Sequence, residues 1–245
     1  MEKEIKVYSG VYLIAGKTVK ITSIYNDVHA MCEDYKTYGD YDFAVEIGEG
    51  DIIFEREHAD GVYADSYLET LAVYRKIGEL IADLNRIIFH GSAISVDNQC
   101  YIFTAKSGTG KSTHTRLWRE KFGDRAVMVN DDKPILEIKG DEIIVHGTPY
   151  NGKHRLSTNT SVPLKAICII NRGDENTIQN ADKNDAFVKL ITQTYRTNNP
   201  KTAAKVIALL DKIVKTVPIY QLYCNMEKSA VDVAYNAMKG DLNET

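Results

Sequence analysis

The rhythm of apolar and polar positions changes near residue 86, and the chain is expected to divide there. Before it, VYSGVYLIA (7–15) and TVKITSI (18–24) carry alternating and β-branched residues, the pattern of strands with one buried face. Asn26–Tyr35 predicts a short helix. Tyr41–Ile47 and Asp51–Glu55 predict strands separated by Gly48-Glu49-Gly50. Ser66–Leu84 predicts a long helix, because Leu68, Leu71, Tyr74, Ile77, Ile81 and Leu84 recur every three or four residues and form a core-facing stripe. Ser66 and Glu69 have the S-x-x-E spacing of a capping box.

From Ile87 onward, predicted strands and helices alternate. Ile87–Val96 and Gln99–Thr104 predict strands around Asp97-Asn98, followed by a Gly-rich loop and a helix that stops near Phe122-Gly123. Ala126–Val129 predicts a short buried strand, Pro134–Ile138 and Glu142–Val145 a hairpin turning at Gly140-Asp141, and Leu164–Ile170 another buried strand. Helices are predicted over Ala186–Tyr195, Lys201–Val214 (opened by Pro200) and Glu227–Met238, with a strand at Ile219–Tyr223. The expected fold class is α/β: a mixed sheet flanked by helices over residues 86–245, joined to a small β-rich α+β region over residues 1–85.

Composition narrows the function classes. With 44% hydrophobic and 26% charged residues over 245 positions, disorder, collagen and coiled coil are excluded for the chain as a whole. Thirty Lys and Arg against 34 Asp and Glu leave a net charge of −4, which gives no footing for general nucleic-acid binding. The start, MEKEIKVYSG, is charged, and no apolar run is long enough to span a bilayer. A cytoplasmic protein without membrane or nucleic-acid partners is expected. Cys32, Cys100, Cys168 and Cys224 lie far apart with no CxxC pair, so zinc-ribbon and redox-motif readings fail and reduced, mostly buried thiols are expected.

The strongest chemical signal is Ala105-Lys106-Ser107-Gly108-Thr109-Gly110-Lys111-Ser112-Thr113, a Walker A pattern with alanine for its first glycine. A predicted strand runs in and a predicted helix runs out. Gly108 and Gly110 let the backbone curl so that successive N–H groups of Ser107–Thr113 point at phosphate oxygens, and the helix N-terminus adds partial positive charge. Lys111 neutralises β- and γ-phosphates, and the Ser112 hydroxyl suits Mg²⁺. The partners this predicts are a nucleotide, held by its phosphates, and Mg²⁺.

The next strand ends in Asn130-Asp131-Asp132. Carboxylates at a strand's C-terminal end, soon after a phosphate-loop helix, stand where an α/β fold builds its site. Two adjacent aspartates suit two tasks, one on the metal and one on the acceptor proton. His90, in Phe89-His90-Gly91, is a further candidate on the strand before the loop strand.

Taken together, His90-Gly91-Ser92-Ala93, SGTGKST at Ser107–Thr113 and the Asn130–Asp132 corner resemble the kinase domain of HPr kinase/phosphorylase, whose P-loop core is similar to phosphoenolpyruvate carboxykinase. The resemblance covers roughly residues 87–172 and extends to smaller HPr-kinase-like proteins that phosphorylate a serine of a ribosomal peptide precursor. It implies an ATP- and Mg²⁺-dependent phosphotransferase with Asp131 as general base, Asp132 and Ser112 on Mg²⁺, and His90 near the γ-phosphate and the aspartates. The family's downstream glutamate–arginine–glycine signature is absent. In its place stands His146–Arg155, HGTPYNGKHR, so neither the reverse reaction nor HPr as acceptor follows.

The 146–155 segment reads equally as a solvated basic loop and as one that offers Lys153, His154 and Arg155 to phosphates or an acceptor. Asn171-Arg172-Gly173-Asp174 resembles a guanine-reading motif with arginine for lysine, but no D-x-x-G switch accompanies it, so it reads mainly as a polar turn whose Arg172 faces phosphates. The expected function is an ATP- and Mg²⁺-dependent kinase acting on a hydroxyl, a serine of a protein or peptide, with residues 1–85 recognising that acceptor. A small-molecule hydroxyl kinase and a non-catalytic nucleotide-binding regulator are the alternatives. A homo-oligomer is left open.

Overall fold

The computed structural model describes residues 7–240, so the charged start read for an export signal lies largely outside the described residues. The chain separates into two compact units, residues 1–81 and 82–245.

In the first unit, β1 (Tyr8–Ile14) and β2 (Lys17–Ser23) form a hairpin. Its turn residues Ala15 and Gly16 both have positive φ (52° and 70°), the backbone a two-residue turn of matching twist needs. After α1 (Asp27–Met31) come β3 (Lys36–Thr37) and β4 (Phe43–Glu46), giving the sheet order β3-β1-β2-β4. Then come α2 (Glu49–His58) and α3 (Asp65–Ile81).

Two expectations are corrected here. The predicted strand at Asp51–Glu55 is part of α2. Asp51 accepts from the Gly48 N–H (3.1 Å) and closes the first turn, and Asp51 and Glu55 bind Arg75 (3.2 and 2.6 Å) of α3. Only Ile52 of α2 is buried, so the Ile52-Ile53 pair mimicked a strand. Glu69 makes no capping box with Ser66. It is fully buried, and its carboxylate accepts the N–H groups of Ile24 (2.6 Å) and Tyr25 (2.9 Å). Burial raises its pKa.

The second unit is a mixed sheet with helices on both faces. Its elements are β5 (Arg86–Ile88), β6 (Ser92–Val96), β7 (Gln99–Thr104), α4 (Lys111–Phe122), β8 (Ala126–Asn130), β9 (Ile135–Lys139), β10 (Glu142–His146) and β11 (Ser161–Arg172). Next come β12 (Thr177–Asn180), α5 (Lys183–Ile191), α6 (Pro200–Thr216), β13 (Ile219–Cys224) and α7 (Ser229–Met238). The order runs β5-β9-β10-β11-β7-β6-β8, with β13 added to β11 and β12 to β13. The edge strand β12 was not predicted; of its residues only Ile178 is hydrophobic.

The long strand β11 joins two regions. Its start pairs antiparallel with β10, and beyond an irregularity between Leu164 and Ala166 it runs parallel to β7 and β13. Alternation along the central strands serves both faces. Cys100, Ile102, Ile167 and Ile169 join the core with α5 and α6 residues such as Leu190, Leu210 and Ile213. Tyr101, Phe103, Cys168 and Ile170 join the other, with Trp118 of α4 and Val231 of α7.

The predicted strand Ile87–Val96 is two strands broken at Phe89–Gly91. There each backbone N–H finds a separate partner: Phe89 on Pro134 O (3.0 Å), His90 on Gln193 O (2.6 Å) and Gly91 on Asp132 O (3.0 Å). The predicted helix Ala186–Tyr195 starts earlier, capped by Asp182, and stops at Ile191. The residues freed beyond it bond back to the break, with Tyr195 N–H on Ile88 O (3.0 Å). This return brings Gln193 to His90.

Candidate active site

Strands β7, β8, β11 and β13 point the same way, because β6 is antiparallel to both β7 and β8 while β11 is parallel to β7 and β13. Their C-terminal ends deliver the Gly-rich loop, the Asp131-Asp132 corner and Arg172 to one edge. The start of antiparallel β6 brings His90 and Ser92 to the same edge. This is the edge at which open α/β sheets hold ligands.

The Gly-rich loop has the backbone its sequence requires. Gly108 and Gly110 take φ of 76° and 123°, and a Cβ at either would meet nothing within 4 Å. The glycines are there for their φ, which costs other residues roughly 1–2 kcal/mol, and not to make room. Ala105 is not among the positive-φ residues, so its replacement of glycine is free of strain. No side chain caps α4, so its first amides have no side-chain partner. Lys111 Nζ donates to Ala105 O (3.2 Å) and Arg172 Nη2 to Gly108 O (2.9 Å). Burial lowers the Lys111 pKa; Asp132 opposes that, Lys133 adds to it and Asp131 opposes it. The lysine and both aspartates therefore share one field.

Asp131 is 7% exposed. Its Oδ1 accepts from Ser92 Oγ (2.6 Å), whose hydroxyl also meets Thr115 Oγ1 (3.0 Å) of α4. Asn130 shapes the corner, its Oδ1 accepting the N–H groups of Asp132 (2.8 Å) and Lys133 (2.7 Å) in an Asx turn. Asp132 is the more open carboxylate. His90 Nε2 lies 3.4 Å and Lys133 Nζ 3.6 Å from its Oδ1.

The hydrogen-bond network sets the His90 tautomer. Thr192 Oγ1 donates to Lys189 O (2.7 Å), so it accepts from Gln193 Nε2 (3.0 Å), which turns Gln193 Oε1 toward His90 Nδ1 (3.0 Å). Nδ1 therefore carries the proton and Nε2 presents its lone pair to the aspartate corner. Burial lowers the His90 pKa, with Lys133 and Lys111 adding to the effect, so the ring is neutral at neutral pH.

The 146–155 segment lies against this corner. Lys133 N–H bonds Tyr150 O (3.2 Å), Asp131 N–H bonds Leu156 O (2.9 Å), and a Cβ on Gly152 would sit 3.2 Å from Asp132 Cβ. Lys153, His154 and Arg155 are exposed. His146 is apart from the site: it is buried, bonded to Ser161 Oγ (2.7 Å) and Glu137 Oε2 (2.9 Å).

The structure thus gathers His90, Ser107–Thr113, Asp131, Asp132 and Arg172 on one edge and adds Ser92, Lys133 and Gln193. Lys133 adjoins the aspartates in sequence, which is a usable signal. Gln193 carries none, because only the fold brings it 103 positions to His90. Among the described residues no cluster of three or more His, Cys, Asp or Glu stands ready for a metal. Ser112 and Asp132 are hard oxygen donors of the kind that share Mg²⁺ with substrate phosphates, and that ion keeps few protein ligands, so the donor set fits.

No family model and no curated protein matches the chain. Among solved structures, the HPr(Ser) kinase/phosphatase from Coxiella burnetii is similar over 62% of this chain and 99% of its own, at 9% identity and a TM-score of 0.34. A likeness of that strength assigns neither fold family nor activity. Among the described residues, no helix is long and apolar enough to cross a membrane.

Proposed function

We propose that the chain is an ATP- and Mg²⁺-dependent kinase that transfers the γ-phosphate to a hydroxyl, a serine of a peptide or protein. The observation that carries this reading is the shared edge: an uncapped, glycine-curled loop with Lys111 faces a buried and an open aspartate. Loop amides within Ser107–Thr113, other than that of Thr109, which bonds Lys106 O (3.2 Å), bind the phosphate tail together with Lys111. Ser112 and Asp132 would hold Mg²⁺, which would supply charge neutralisation at the phosphates. Ser92 occupies Asp131 Oδ1 and leaves Oδ2 to take the proton of the attacking hydroxyl. His90, fixed by Gln193, presents its Nε2 as a proton acceptor beside Asp132. Arg172 steadies the loop at Gly108 and adds positive charge beside the phosphates.

The test is transfer from [γ-³²P]ATP with Mg²⁺ in a cell extract. Label in a protein or peptide, lost with Lys111→Ala, is expected. Label confined to small molecules supports the metabolite-kinase alternative, and binding without transfer supports the regulator.

A further inference from the structure

The first unit has a cleft that the chemistry above does not use. It is about 470 Å³ and lies between the first half of β1, α1 and the start of β3. Tyr8, Gly10 and Tyr12 line it from β1, His29 and Ala30 from α1, and Lys36 from β3. Its floor is built: a Cβ on Gly10 would overlap the Tyr12 hydroxyl and lie 2.8 Å from Cζ, so only glycine lets that phenol fold back along the strand. The Tyr12 hydroxyl meets His29 Nδ1 (2.5 Å), and His29 Nε2 meets Ser23 Oγ (2.8 Å), which holds the ring wall in place.

The sheet edge beside this cleft is incomplete. β2 pairs with β1 along all seven residues, Tyr8–Ile14. On the other flank β3 covers only Val11 and Tyr12, after which the chain turns away at Gly39 with φ of 100°. Among the described residues no strand lies beside Ser9 and Gly10 on that flank. An edge of this kind accepts an extended segment through main-chain hydrogen bonds, with alternate side chains entering an adjoining pocket.

Charge and ring chemistry name the segment. Residues 1–81 hold sixteen Asp and Glu against eight Lys and Arg, while the remainder of the chain is net positive. The half-buried Tyr8 ring, 6.2 Å from the buried His29 ring, gives the cleft an aromatic face that suits Lys and Arg stems and their cations. A second copy of this acidic unit would be repelled.

We infer that the first unit docks an extended, basic peptide as an added strand beside Ser9 and Gly10, with its side chains in the Tyr8–Tyr12–His29 cleft. This deepens the kinase reading, on which it rests only for the docked peptide being the phosphate acceptor.

The test uses the full chain and a fluorescein-labelled octapeptide of alternating Lys and Val with one central Ser, against a Glu-for-Lys control. Anisotropy should show the basic peptide binding at concentrations up to about 1 mM, weakening as salt rises. Hydrogen exchange at Ser9, whose N–H faces the open flank while that of Gly10 faces β2, should slow. Ala30→Trp, at an exposed position of α1, fills the cleft and should weaken binding at least about tenfold with an unchanged thermal midpoint. Equal binding of both peptides, undiminished binding by Ala30→Trp, no binding at all, or self-association lost with Ala30→Trp would each overturn the docking site. ATP binding without peptide binding refutes the docking alone. Peptide binding without ATP binding refutes the kinase reading and leaves the docking intact.

Discussion

His114 sits on the first turns of α4, directly after the Gly-rich loop, and reports how that helix is held. It is 3% exposed, edge-on to Phe103 (centroids 4.6 Å apart), and its Nε2 accepts from Trp118 Nε1 (3.0 Å). Burial pushes its pKa down from 6.5 to about 4. The unfolded chain therefore binds a proton between pH 6.5 and pH 4 that the folded chain does not. Stability is complete above 6.5, falls as pH drops through that window and levels off below about 4. A shift of this size amounts to about 3 kcal/mol in full, of which about 2 kcal/mol is lost by pH 5. His114→Gln keeps an acceptor for the Trp118 N–H and removes the titration. Urea unfolding followed by the fluorescence of Trp118, the chain's one tryptophan, measures the second unit directly. Between pH 8 and pH 5 the wild type should lose about 2 kcal/mol more than His114→Gln. Parallel losses in the two proteins would refute the assignment of a neutral, buried His114.

Other substitutions test the site's construction. Gly147→Ala places a Cβ over Thr158 O and 2.7 Å from Val129 O, both backbone atoms, and should cost about 3 kcal/mol or more in urea unfolding, because the strand end before Asp131 must move. Ser92→Ala takes the donor from a buried carboxylate and should cost about 1.5–3 kcal/mol by the same measurement, with slower phosphoryl transfer. Asp131→Asn should leave calorimetric ATP binding intact and lower transfer by about 10²–10⁴-fold. Arg172→Ala, on an exposed side chain, should change stability by less than about 0.5 kcal/mol yet weaken ATP binding measurably.

The parts of this molecule that were legible in its sequence are those set by local chemistry. Gly108 and Gly110 announced positive φ, and Asp97-Asn98 and Gly140-Asp141 announced the hairpins. Asn130-Asp131-Asp132 announced a strand end, because Asn and Asp favour the turn their own side chains make. The parts that were not legible depend on distant partners. Asp51–Glu55 has strand-like isoleucines, but its acids are claimed by Arg75 and Lys76 from α3. Glu69 has cap-like spacing, but the ends of two backbone amides at Ile24 and Tyr25 use its carboxylate. The break at His90 was hidden inside an apolar run, because what ends the strand is backbone bonding to Gln193, Pro134 and Asp132. Arg172 reads from the sequence as facing phosphates, but its bond to the Gly-rich loop itself follows from β11 being the parallel neighbour of β7.

The most direct test of the central reading is a calorimetric titration of ATP with Mg²⁺ into wild type and Lys111→Ala. Saturable heat in the wild type, absent from the variant, is the expected result. A wild type that gives no heat with ATP, GTP or pyrophosphate, with the metal present, would contradict it.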